Sequence, residues 1–188
     1  MLSVLRQFLD LLLRRAGPSD LPASPRLLAG TFAALLAVQG AVAAALGESP
    51  AEVLPRAMVS GALLLAWLWF LTRIYGRPER FLQTATAFLG VALLTVPLLV
   101  PLVAGVLGVG GTPGAAPPEA IKPSLPLLVF VAAAFYLLLV EARMLADAIE
   151  QHVFLCALLV LAGEFLIALL AMSIGMAPPT PAAAGAPA

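Results

Sequence analysis

The chain has little of what soluble catalysis uses. Of its 188 residues only 11% are charged, one is a cysteine (Cys156) and one a histidine (His152). A single cysteine cannot close an internal disulfide, and Cys156 with His152 is too small a set for an all-protein zinc site. Within an apolar run, Cys156 reads as a small buried thiol. There is no Ser/His/Asp set, no HExxH and no paired-carboxylate motif. The glycines at 108–111 have no following lysine and no preceding strand, so they do not form a phosphate cradle. Zero net charge gives no reason to expect a nucleic-acid partner. A cleavable leader is not expected either, because Arg6, Asp10, Arg14 and Arg15 interrupt the first 16 residues. The expectation is a protein without catalytic residues, cofactor or metal.

Apolar sequence is abundant. Hydrophobic residues make up 62% and mean hydropathy is +1.07, against about half apolar and a quarter charged in soluble domains. One small core cannot bury such a surplus, so lipid must cover it. Five apolar stretches, near 27–46, 56–72, 81–106, 125–140 and 153–174, predict an all-α polytopic transmembrane bundle of five spans. The fourth, at 16 residues or about 24 Å, is short enough that the last two stretches could form a re-entrant pair. Residues 2–15 predict an amphipathic helix, with Ser3, Arg6, Gln7, Asp10 and Arg14 sharing one wedge. It could lie on the membrane surface or pack on the bundle. The division expected is 1–26 for this helix and its linker, 27–176 for the membrane domain and 177–188 for a disordered Pro/Ala tail.

Local signals punctuate the spans. Gly30, Ala33, Ala37, Gly40 and Ala44 give span one a small-residue face suited to close helix approach. Ser49-Pro50-Ala51-Glu52 has the form of a capping box. Pro97 and Pro101 predict a kink or early unwinding of span three, and residues 108–124 predict a loop. Span four is expected to continue as helix through 141–151, where Arg143, Asp147 and Glu150 share a polar face opposite Met144, Leu145, Ala148 and Ile149. With the N-terminus in the cytoplasm, eight arginines (6, 14, 15, 26, 73, 77, 80 and 143) fall inside, against Arg56 and Lys122 outside. This follows the positive-inside rule and puts the C-terminus outside, as for a multi-pass inner-membrane protein.

Two polar sets stand out. Glu164, alone among acidic residues at mid-span, costs several kcal/mol unless it is neutral, paired or hydrated. It reads as a relay, as a recognition point, or as a structural group bonded to Gln39 or a span-three threonine. The second set is Arg73, Arg77, Arg80, Gln83 and Thr84 at the start of span three, which could hold an anionic headgroup or a partner, or pair with Glu141.

Gly76-Arg77-Pro78-Glu79-Arg80-Phe81-Leu82-Gln83-Thr84, followed by Gly90 and Pro97, resembles the corresponding stretch of bacterial Yip1-type proteins. The resemblance implies five spans over residues 20–175 with a cytoplasmic N-terminus, and carries no settled activity over to this chain. Small loops, absent catalytic motifs and small-residue faces give the function expected, a non-enzymatic structural, assembly or lipid-organising component, with the bilayer and a protein partner or second copy as its contacts. The alternative is a small transporter or channel subunit using Glu164 and the proline-bearing third span.

Overall fold

The computed structural model describes residues 2–107 and 125–173, with side chains for 4–102 and 125–170. The expected loop at 108–124 and tail at 177–188 lie outside the described residues. Six helices follow one another: α1 (Leu2–Leu12), α2 (Pro25–Ala45), α3 (Pro50–Ile74), α4 (Phe81–Leu107), α5 (Leu125–Ile149) and α6 (Val153–Ser173), with no strand among the described residues. The shortest of the last five has 21 residues, about 31 Å. All five are long and apolar enough to cross a membrane. The protein is a multi-pass membrane helical bundle.

Caps and turns set the boundaries. Ser24 starts α2, its hydroxyl accepting from Leu27 N at 3.4 Å, with Pro25 at the first helical position. Ser49 and Pro50 start α3, but the expected capping box does not form. Ser49 makes no side-chain cap bond, and its carbonyl instead accepts from Glu52 N (3.0 Å) and Val53 N (3.2 Å). α3 therefore begins six residues before the expected span and runs through Pro55. Gly47 (φ 79°) and Gly76 (φ 72°) take the left-handed conformation just beyond α2 and α3, where a Cβ would be strained.

Of the kink or unwinding expected in α4, the unwinding does not occur: the helix continues through Pro97 and Pro101. In lipid, an unwound turn strands several backbone groups, whereas a proline costs one bond. The fourth stretch continues as helix beyond residue 140, as expected, giving one 25-residue helix to Ile149, so a re-entrant pair is not needed.

α4 is central and packs against α1, α2, α3 and α5, while α6 closes the bundle against α3 and α5. The core gathers at the end of the bundle that carries α1. It is built from Leu68 and Leu71 of α3, Ala85–Val91 of α4, Val140–Ile149 of α5, and Cys156 and Val160 of α6. This end also holds the α3–α4 and α5–α6 turns and most of the arginines, and is the basic face below.

α1 meets both environments. Phe8 and Leu11 are buried in the bundle, while Leu5, Leu9 and Leu13 remain exposed on its other flank. The Tyr136 hydroxyl donates to Leu12 O at 2.7 Å. Phe8 lies so close to Gly90 that a Cβ there would stand 2.3 Å from the ring. Gly90→Ala should cost about 1–3 kcal/mol by overpacking, lowering the melting temperature in detergent and exposing Arg14 and Arg15 to trypsin. The second-site change Phe8→Val should restore much of the loss. Unchanged melting and cleavage in Gly90→Ala would remove α1 from this seat.

Candidate functional site

The arginine set at the start of α4 builds an internal clamp. Arg77 and Arg80 both pair with Glu150, Arg80 at 2.8 Å. Arg80 also donates to Asp147 O (2.8 Å) and Ala148 O (3.4 Å), capping carbonyls that α5 leaves open at its end. Glu150 sits just past α5 at φ 55°, a left-handed conformation costing a non-glycine residue roughly 1–2 kcal/mol. Its carboxylate receives two guanidinium groups in return.

Gln83 Nε2 donates to Ser19 O (3.2 Å) and Leu21 O (2.7 Å), tying the linker after α1 to α4. Thr84 is fully buried and donates to Arg80 O at 2.9 Å, so it cannot reach a headgroup. Arg73 alone of the set points outward, its guanidinium 5.2 Å from the Trp69 ring centre. Glu141 takes no part. It lies on the bundle side of α5, within electrostatic reach of Glu164, and Glu150 occupies the role that sequence gave it. The sequence signal for Glu150 was topological, since the turn after span four must fall on the face that holds the span-three arginines.

The other polar set lines a cavity. In the half of the bundle away from the basic face, α2, α3, α4 and α6 enclose a space of ≈ 480 Å³, within the ~300–1,000 Å³ typical of small-molecule sites. Its walls run from Leu35 to Leu46 along α2, roughly 16 Å of helix. Apolar lining comes from Leu64, Leu89, Ala92, Val96 and Val100, and polar lining from Gln39, Glu48, Arg56, Ser60 and Glu164. Glu48 and Arg56 sit near the α2–α3 turn. Gln39 and Ser60, both half-buried, and Glu164, which remains exposed, lie further from that turn, one from each of three helices. The expected Gln39–Glu164 bond does not form: Gln39 Oε1 is buried with no hydrogen-bond partner among the described residues. Arg56 is engaged in an interaction of its own.

Glu164 is held in place by its neighbour. A Cβ at Gly163 would lie 2.4 Å from Trp67 Nε1, so only glycine lets the α3 indole pack here. Trp67 in turn stacks with Phe70, ring centres 5.7 Å apart. The contact separates Glu164 from an apolar groove between α3 and α6, lined by Leu63, Phe70, Leu166 and Leu170. Cys156 is buried and free, His152 is exposed, and no group of three potential metal ligands forms among the described residues.

No family model matches the chain, and no curated protein or solved structure is significantly similar to it. The Yip1-type resemblance rests on residues 76–97 alone.

The clamp gives a graded expectation. Arg80→Ala removes carbonyl caps as well as an ion pair and should cost about 1–2 kcal/mol. Arg77→Ala loses only an exposed pair, for about 0.2–1 kcal/mol. Combined with Glu150→Ala, each arginine change should be non-additive in detergent denaturation. Full additivity would mean that the pairs contribute nothing.

Proposed function

We propose that the protein is a non-enzymatic membrane protein that binds a small ligand within its bundle, as a small transporter or a subunit of one. The observation that carries this reading is the cavity, lined by Gln39, Ser60 and Glu164 from three different helices. A bundle serving only as a structural part gains nothing from a hollow half, because helices in lipid associate through close packing. A buried acceptor without a donor, Gln39 Oε1, carries a desolvation penalty of about 1–3 kcal/mol. Such a penalty is offset where a ligand supplies the donor. The packed core on the basic side and the open half opposite it fit a site reached from one side. The arginine distribution supports placing the basic face in the cytoplasm of a bacterial inner membrane, with the cavity toward the exterior.

A second observation favours association with another helix. Gly30, Ala33, Ala37 and Ala44, the small residues of α2, lie exposed on the outside of the bundle. A second copy or a partner subunit would pack closely on such a face. Cysteine at Ala37 should then crosslink or be shielded in native membranes; a freely labelled, monomeric product would remove this contact.

Thiol accessibility tests the main reading. In a Cys156→Ala background, Ser60→Cys should react with a membrane-impermeant methanethiosulfonate applied from the exterior and not from the cytoplasm. Leu161→Cys, on the exposed apolar face of α6, should stay unreactive. Ser60→Cys unlabelled from both sides would remove the cavity as an aqueous site, and labelling from the cytoplasm would invert the topology. A reporter fused after Ala188 should be active only outside the cytoplasm.

A further inference from the structure

The part of the cavity away from the α2–α3 turn is rich in hydrogen-bond acceptors. Gln39 offers an unpartnered buried carbonyl oxygen, Glu164 offers a carboxylate, and Ser60 adds a hydroxyl that accepts as readily as it donates. Arg56 lines the same cavity one helical turn from Ser60, on the side nearer the α2–α3 turn, and no lysine or histidine lines it among the described residues. Arg56 lies 11 residues (67 − 56) from Trp67 along α3, roughly 16 Å, and Trp67 marks the level of Gly163 and Glu164. It also has an interaction of its own.

The remaining walls, Leu35, Leu64, Leu89, Ala92 and Val96, are apolar. Acceptors at the end of an apolar chamber select a positively charged donor carried on a hydrophobic body.

Resting on the ligand-binding reading above, we propose that the ligand is an amphiphilic monocation, a primary or substituted amine. Its ammonium group meets Glu164 and Gln39, and its apolar part fills the chamber between α2, α3 and α4. The same ammonium chemistry occurs in free hydrophobic amines and in the headgroup of phosphatidylethanolamine.

The test compares reagents of opposite charge at one thiol. In Cys156→Ala/Ser60→Cys protein, reconstituted in nanodiscs of phosphatidylglycerol, the cationic trimethylammonium-ethyl and the anionic sulfonato-ethyl methanethiosulfonates meet the same sulfur. Their rate ratio therefore reports local potential rather than access. The cation should react roughly tenfold faster relative to a reference thiol at Ser49→Cys in the exposed α2–α3 turn. Glu164→Gln should bring the ratio at position 60 back to the reference, and Glu164→Asp should keep most of it. The 4-phenylbutylammonium ion should protect the thiol where 4-phenylbutanoate does not. Adding phosphatidylethanolamine to the nanodiscs separates the sources: slower labelling without added amine identifies the lipid headgroup, and unchanged labelling with protection by the soluble amine identifies a free amine. If Glu164→Gln does not fold, the ammonium-versus-carboxylate comparison on protein retaining Glu164 decides. A thiol labelled at equal relative rates by both reagents, or protected equally by both phenylbutyl compounds, overturns the cation assignment and leaves the ligand-binding reading standing. A thiol that neither reagent reaches overturns that reading itself.

Discussion

Everything in this bundle depends on how closely other helices approach α4. From Thr84 to Val91 every residue is buried, more than two turns with no side open to lipid. Lipid tails are as apolar as leucine, so no hydrophobic effect draws spans together, and association relies on fit. Ala85, Ala87 and Gly90 keep the α4 surface low. Thr84 and Thr86 return their hydroxyl protons to Arg80 O and Leu82 O, at 2.9 and 2.7 Å. Two polar side chains are thereby satisfied within one helix, without demanding partners from those that crowd it.

This close approach is confined to one end. There, α1 is seated by Phe8 on Gly90, the linker after it is tied down by Gln83, and the α5–α6 turn is clamped by Arg77 and Arg80 through Glu150. Elsewhere large rings seat on single glycines: a Cβ at Gly61 would stand 2.4 Å from Phe32, and one at Gly163 2.4 Å from Trp67. The same chain thus builds a dense half from alanine, glycine and threonine, and a hollow half framed by leucine, valine and a few polar groups. A strained residue at Glu150 fits this division, since the turn it occupies is where the dense half is fastened.

Much of the architecture was legible in the sequence because span length and polarity are set by the bilayer. The five helices fall where the apolar stretches predicted, and Met144, Leu145, Ala148 and Ile149 face the core opposite Arg143, Asp147 and Glu150. Proline was the misleading signal. Its effect on an isolated helix suggested unwinding of α4 at Pro97 and Pro101, whereas lipid penalises irregular backbone more than a single missing bond. The site was legible only in part. Glu164 and Gln39 stood out because each is polar at mid-span. Ser60 did not, being one small hydroxyl among many, and its partners come from helices more than 20 residues away in sequence. Glu141 and Glu150, nine residues apart, exchanged roles because helix rotation, which the alternation of polar and apolar residues only approximates, turns one inward and leaves the other at the turn.

The hollow half also changes how membrane voltage is distributed. Where the cavity is filled with water, its floor near Leu35, Leu64 and Leu89 becomes the electrical edge of the side to which it opens. The insulating layer then shrinks to the packed core between that floor and the basic face. A potential worth about 2.3 kcal/mol per charge per 100 mV falls across that thinner layer instead of the whole hydrocarbon thickness. The field is steepest just beneath Glu164, over a path where Thr84–Val91 leave no gap. A bundle with a hollow half and a solid half is, in this sense, a lens for the membrane field.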